Sequence, residues 1–218
     1  MTSATNSHIW HGQNQEDRIV YEYFNGFMGS LLSIGENTGT VISNCRALIE
    51  NDWGGILVEP SPKAFRSLFH RYYNHSKVWC FNAAISDYTG KATFYESGEH
   101  LGVGDVALLS TLDKNELKRW EGTNNKFEET EVLVWDFNEL QKKVTNTGRS
   151  NKYQFINVDA EGLDLKILYQ MDLKELDCQC LCIEHNGNPE VFHRIECHAI
   201  DFGLKQIAVN PENVIYAK

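Results

Sequence analysis

Acids at the ends of two apolar runs are the residues with which this sequence could do chemistry. Asp159 and Glu161 close the run "INVDAEG", and Glu184 and His185 end "CQCLCIEH". A carboxylate or imidazole in such a place can accept the proton of a hydroxyl, while in-line group transfer otherwise needs its two reactants held in position. A charged group that ends an apolar strand calls for a reason, which favours a working role for Asp159. Glu161 serves equally well as a cap for a helix starting near Leu163, and His185 as a hydrogen-bonded loop residue. Asp159, Glu161, Glu184 and His185 could together hold a divalent cation, but two-residue spacing on a strand end defines no chelating geometry, so no metal is predicted.

A second constellation lies in "SLLSIGENTG", an apolar run that breaks into a turn with Gly35 and Gly39. A dinucleotide fingerprint would place another glycine at position 37, letting the backbone approach a pyrophosphate. Asn37 stands there instead, beside Glu36, whose charge would repel phosphate. That disfavours NAD and FAD, and the missing G-K-[ST] excludes a P-loop NTPase. S-adenosylmethionine carries no phosphate and bears a cationic sulfonium, so an acidic turn suits it. Glu59 follows Gly39 by twenty residues, at the end of the next apolar run. A carboxylate there can accept hydrogen bonds from both ribose hydroxyls, or can cap the helix that starts at Ser61.

The elements that must position these groups alternate along the chain. Strands are expected at 29–35, 54–60, 77–85, 153–160 and 178–185, with an additional pair at 90–96 and 131–137. Helices are expected from about Thr40 with Val41, Cys45 and Leu48 on one face, and from Ser61 and Pro62 with Phe65, Leu68, Phe69 and Tyr72 in a stripe. Others cover "NELQKKV", the residues after Leu163, and a segment from Asn188 and Pro189 to Gly203. "LKQIAVN" and "NVIYAK", joined around Pro211, read as a terminal hairpin. The fold class expected is therefore α/β: a doubly wound, mainly parallel seven-stranded Rossmann-like sheet with a C-terminal antiparallel hairpin strand. Residues 12–218 form one domain in this reading. Its insert at about 97–130 contains Gly98, Gly102, Gly104, His100 and a short helix at 113–120, and such a loop can act as a lid.

Composition narrows the partners. Thirty acids against twenty bases give a formal charge of −10 and a pI of about 5.2, which argues against nucleic acid. The basic stretches "NELKRW" and "LQKKV" look like solvated helix faces. No run approaches the ~18 apolar residues of a membrane span. "MTSATNSH" lacks the basic flank and apolar core of a signal peptide, so residues 1–11 read as a disordered polar tail on a cytoplasmic protein. Cys178, Cys180 and Cys182 alternate, which would set all three on one strand face as small hydrophobes of a reduced protein.

Taken as a set, "SIGENTG", "GGILVEPSP", "NAAISDYTGKATFY" and "INVDAEGLDLKIL" resemble the successive motifs of FkbM-type S-adenosylmethionine-dependent methyltransferases. "GQNQEDRIVYEYF" and "NPENVIYAK" extend the resemblance from Gly12 to Lys218, with 97–130 matching poorly. The resemblance implies a class I methyltransferase fold, S-adenosylmethionine as cofactor, and O-methylation of a hydroxyl on a sugar, glycan or other small acceptor. By position it places Gly35, Asn37 and Gly39 around the methionine part of the cofactor, with Glu36 in the same turn. Glu59, followed by Pro60, would hold the ribose, and Asn82 and Ala83 would lie near adenine. The family commonly has an acid where this chain has Ser33. That departure motivates an alternative function, an S-adenosyl-ligand-binding module without catalysis.

Overall fold

A computed structural model describes residues 9–218; the first eight residues of the expected tail lie outside the described residues. In chain order the elements are α1 (Glu16–Phe24), β1 (Ser30–Ile34), α2 (Arg46–Glu50), β2 (Gly54–Val58), α3 (Pro62–Tyr72) and β3 (Val78–Phe81). Then come β4 (Ala84–Ile85), β5 (Gly90–Ser97), β6 (Phe127–Trp135), α4 (Phe137–Asn146), β7 (Phe155–Val158) and α5 (Asp164–Leu168). The chain closes with β8 (Cys180–Glu184), α6 (Pro189–Asp201), β9 (Lys205–Val209) and β10 (Asn213–Ala217).

The main sheet has the order β3-β2-β1-β7-β8-β10-β9. Its first five strands run parallel, and β10 is antiparallel to both of its neighbours. The sheet is buried on both faces, which is why its central strands read as continuous apolar runs. Alternation splits their side chains between two cores. Leu32, Ile34, Val58, Ile156, Val158 and Ile183 pack with Leu140 of α4, Ile167 of α5 and Ile195 of α6. Leu31, Leu57, Phe155, Cys180 and Cys182 pack with Val20 of α1, Leu48 of α2 and Leu68 of α3. The chain builds outward from β1 to β3, then crosses to β7 and builds the other way. The crevice at the carboxyl ends of β1 and β7 is thus the switch point where a doubly wound sheet holds its ligand.

Several boundaries differ from the expected ones, each for a local reason. The helix expected from Thr40 begins only at Arg46, because Ser43 Oγ accepts the N–H of Cys45 and Arg46 and starts it there (3.3 and 3.0 Å). The strand expected over 77–85 breaks at Asn82 and Ala83. Its last part, β4, joins a second sheet of order β4-β6-β5. β6 begins at Phe127, inside the expected insert, and the expected helix at 113–120 is a 3-10 turn at Glu116–Trp120. Cys178 precedes β8 and packs in the opposite core from Cys180 and Cys182, so the three thiols do not share one face.

α1 had no counterpart in the sequence reading. It carries a fully buried Glu16, whose carboxylate accepts from Asn14 N (2.8 Å), Asn210 Nδ2 (2.7 Å) and Asn213 Nδ2 (3.1 Å). That one side chain ties the first helix to the terminal hairpin. Ser33 is also fully buried, on the α1 side of β1, where its Oγ accepts from Asn157 Nδ2 (3.2 Å). Asn157 Oδ1 in turn accepts from Asn44 Nδ2 (3.1 Å). Among the described residues no helix is long and apolar enough to cross a membrane.

Candidate active site

At the carboxyl ends of β1, β2 and β7 the backbone folds into a set of interlocked turns. The N–H groups of Gly35 and Glu36 both donate to Val58 O (2.9 and 3.1 Å), which ties the first turn to β2. Gly35 has φ +84°, and a Cβ there would lie 1.7 Å from Asp159 O, so only glycine lets the β1 turn pass the end of β7. Asn37 also takes a left-handed φ of +55°, which its side chain favours by accepting the N–H of Thr38 at 2.7 Å. Its Nδ2 donates to Val106 O at 2.9 Å, joining the turn to the 97–112 segment.

Glu59, one residue past β2, is the centre of this arrangement. Its Oε2 accepts from Asn37 N (2.8 Å) and its Oε1 from Ser61 N (2.7 Å). Ser61 itself caps α3, its Oγ accepting from Ala64 N at 3.1 Å. Asn82 Nδ2 donates to the carbonyls of Glu59 and Pro60 (2.8 and 3.0 Å), fixing the strand end from below. Burial raises the Glu59 carboxyl to about 8 against the two backbone donors, with the charges of Glu36 and Asp159 adding to the rise.

The acids form the opposite side of a cavity of about 300 Å³. Asp159 and Glu161 follow β7, and Glu184 ends the adjacent parallel strand β8, so the sheet register brings them side by side. One oxygen from each lies within 4.8 Å of the others. At that separation two ionised carboxylates repel by roughly 3 kcal/mol at an effective dielectric of ~20. Burial, then the charges of Asp164, Glu16 and Glu36, lifts Asp159 to about 7. Burial and Asp159 hold Glu161 and Glu184 well above the usual carboxylate range. Beneath them Asp164 accepts the N–H of Ala160 (2.8 Å) and Gly162 (3.1 Å) and so shapes the turn that carries Glu161. Arg119 Nη1 stands 3.6 Å from Glu161 and 2.8 Å from Glu116.

Of the residues singled out from sequence, Gly35, Asn37, Glu59, Pro60, Ala83, His100, Asp159, Glu161 and Glu184 line this one cavity. Glu36, Gly39, Asn82 and His185 do not. Glu36 is buried behind the turn and accepts from Ser43 Oγ at 2.5 Å. Gly39 faces α3, where a Cβ would meet Leu68 Cδ1 at 2.8 Å. His185 has both ring nitrogens engaged: Nδ1 accepts from Gly187 N (3.1 Å), which leaves Nε2 to donate to Asn210 O (3.1 Å).

The cavity also recruits residues that sequence reasoning passed over. Arg119 and Trp120 come from "NELKRW", which lies over the acids instead of facing solvent only. Asn44 and Asn213 line the wall with buried Oδ1 atoms that have no hydrogen-bond partner, and buried Glu184 Oε2 has none either. An arginine next to a tryptophan was the one available signal for Arg119. Nothing in sequence marked Asn44 or Asn213. Leu101, next to His100 in the 97–112 segment, also lines the cavity.

A parallel sheet wound both ways from β1, one reversed strand next to the last parallel one, and a cavity at the switch point define the class I S-adenosylmethionine-dependent methyltransferase fold. The family model described as the methyltransferase FkbM domain matches residues 33–201. The chain belongs to that family, whose cofactor is S-adenosylmethionine. Among solved structures it is similar to fibrillarin from Aeropyrum pernix with bound S-adenosyl-L-methionine, at 9% identity and a TM-score of 0.46 over 91% of this chain and 73% of that one. It is also similar to PH1948 from Pyrococcus horikoshii, a putative RNA methyltransferase, at 12% identity and a TM-score of 0.47 over 94% and 80%. The human METTL16 N-terminal domain in complex with SAH gives 11% identity and a TM-score of 0.46 over 93% and 65%. No curated protein matches the chain.

Proposed function

We propose that this protein methylates a hydroxyl of a small metabolite, sugar or glycan, using S-adenosylmethionine as the donor. The observation that carries the reading is the division of one cavity between two kinds of carboxylate. Glu59 is anchored by two backbone N–H groups, whereas Asp159 faces the cavity with its carboxyl held near neutrality.

The residues present fit the cofactor. A carboxylate has about four lone-pair sites, and Glu59 uses two, so two remain for a pair of ribose hydroxyls. Gly35 and Asn37 supply the turn beside the methionine part, and Pro60 and Ala83 offer apolar surface to the adenine. Five acids line the cavity against one arginine, a balance that suits a cation-bearing nucleoside and opposes phosphate. Bound there, the cofactor supplies an electrophilic methyl group. Asp159, with its carboxyl at about 7, then takes the proton from the acceptor hydroxyl, since a base works best with its pKa near the operating pH. Glu161 and Glu184 line the same end. Trp120 and Leu101 add apolar surface to the cavity wall, and a volume of about 300 Å³ favours a small acceptor.

The alternative of a non-catalytic ligand-binding module rests on Ser33. That residue lies behind the turn in the Asn157 and Asn44 network and does not line the cavity, so it gives that alternative no support. Calorimetry with S-adenosylhomocysteine should show binding in the micromolar range, and its absence would overturn the cofactor placement. Methyl transfer from labelled donor should appear on hydroxylated small acceptors; product formed only on amines, RNA or protein would overturn the acceptor class.

A further inference from the structure

We infer that the acid end of the cavity is a binding site for one hard divalent cation, Mg2+ or Mn2+, held by Asp159, Glu161 and Glu184. With the cation bound, Asp159 would serve as a ligand instead of a free base, and the ion would hold the acceptor oxygen and ease the loss of its proton. The inference rests on the hydroxyl-acceptor reading in that one respect, and the binding itself can be read without any turnover.

Three features of the structure converge on it. The first is spacing. Oxygen ligands about 2.1 Å from Mg2+ lie about 3.0 Å apart when adjacent and about 4.2 Å apart when opposite, and the wider Ca2+ sphere extends this to about 4.8 Å. The three carboxylate oxygens lie within 4.8 Å of one another, so shifts of a few tenths of an ångström bring them inside one Mg2+ or Mn2+ sphere.

The second feature is unmet hydrogen-bonding capacity. Glu184 is 7% exposed and lines the cavity, yet its Oε2 has no partner. Directly across from it in the β8–β10 register stands Asn213, also 7% exposed and lining the cavity. Glu16 takes the Asn213 Nδ2 donor, and Asn213 Oδ1 is left without a partner. Buried oxygens of this kind in native structures have partners as a rule, and a ligand seated at this end of the cavity would supply one. Asn213 is not part of the acidic cluster, so its orphaned carbonyl is a separate pointer to a ligand. Carboxylates and an amide carbonyl are the donor types that hard cations take.

The third feature is charge. Three carboxylates face one guanidinium, that of Arg119, which is shared with Glu116. At this spacing ionised carboxylates repel one another, and a divalent ion among them offsets that repulsion more fully than the single charge of an acceptor ammonium. Asp164 stays outside the sphere: two backbone N–H groups occupy it, and it positions the turn that presents Glu161.

Mn2+ is the probe, because free aqueous Mn2+ gives a sharp electron paramagnetic resonance signal that binding removes. Titration of the full chain, with S-adenosylhomocysteine present and absent, should show one Mn2+ per chain, displaced by Mg2+. Glu184→Gln and Asp159→Asn should each weaken the site by roughly tenfold or more, as loss of one carboxylate ligand requires. S-adenosylhomocysteine calorimetry on Glu184→Gln should stay within threefold of the unaltered protein. That result shows the variant folded and keeps the cofactor placement separate from the metal. No loss of the free Mn2+ signal at millimolar protein and metal would overturn the inference, as would binding unchanged in both variants. Uptake of Mn2+ only after Arg119→Gln would also overturn it, because the guanidinium would then be the resident cation. Displacement of substoichiometric Mn2+ by methylammonium but not by Mg2+ would assign the cluster to an amine instead.

Discussion

Glu59→Gln is the most informative single change, because it keeps the side chain's size and alters only its oxygens. In the structure both oxygens are engaged, Oε1 by Ser61 N and Oε2 by Asn37 N. An amide offers one acceptor, so in either orientation an NH2 group meets a backbone N–H and one buried donor goes unpaired, at a cost of about 1–3 kcal/mol. The neutral amide also removes the burial penalty that lifts Glu59 to about 8, which offsets part of that loss. The net change in stability is therefore small, whereas the change in binding is large. Two charge-assisted bonds to ribose hydroxyls contribute about 1.5 kcal/mol or more each, so losing both weakens binding by about 100-fold or more. Calorimetry with S-adenosylhomocysteine on a variant that retains the native circular dichroism spectrum measures this directly. The same assay has a second readout. If the ionised form of Glu59 binds the ribose, binding near pH 7 releases a proton, and affinity rises up to tenfold per pH unit until about pH 8, then levels. The variant loses that slope. Retention of affinity within threefold, or a flat wild-type profile from pH 6 to 9, would refute the assignment of Glu59.

Three other outcomes follow from the geometry. Asp159→Asn should bind S-adenosylhomocysteine normally while turnover falls by about 10²- to 10⁴-fold, the usual contribution of a general base; unchanged turnover removes Asp159 from the proton transfer. Gly35→Ala places a Cβ 1.7 Å from Asp159 O at φ +84° and should cost about 3 kcal/mol or more, lowering Tm by roughly 6–12 °C. A melting temperature within two degrees of the parent would contradict the close approach. Glu59 at about 8 and Asp159 at about 7 both have folded values above their unfolded ones. Between about pH 4 and 8 the folded ligand-free chain thus binds more protons than the unfolded one, and the stability present at low pH is lost as pH rises through 7 and 8. Urea denaturation should give a lower unfolding free energy at pH 8 than at pH 5.5, and an equal or higher value would contradict it.

The sheet was legible because its strands are buried on both faces, and continuous runs such as "LLSI" and "GILV" leave little choice of structure. The start of α2 was not, because Val41 and Cys45 keep a helical spacing while Ser43 sets the true boundary six residues later than Thr40. The two ends of the cavity were also visible in sequence, since Glu59 and Asp159 end apolar strands. Its walls were not. Arg119 belongs to a segment whose position depends on contacts far along the chain, such as Thr111 Oγ1 donating to Glu161 O at 2.7 Å. Glu36 and His185 show the converse. Their types suit a site, and they stand next to residues that line it, but hydrogen bonds to Ser43, Gly187 and Asn210 engage their polar atoms.

The buried Glu16 makes the order of folding matter to the site. Its bonds to Asn210 and Asn213 span 194 and 197 residues of chain, among the longest separations available in it. Contacts of such range need both the first helix and the terminal hairpin in place. β10, which Glu16 fixes, carries the Asn213 wall of the cavity. A chain still emerging from the ribosome can therefore pair β1, β2, β3 and β7 while its ligand pocket remains open on one side. Ligand capture would then report that the last strand has docked, and a binding-competent molecule is one whose two ends have already met.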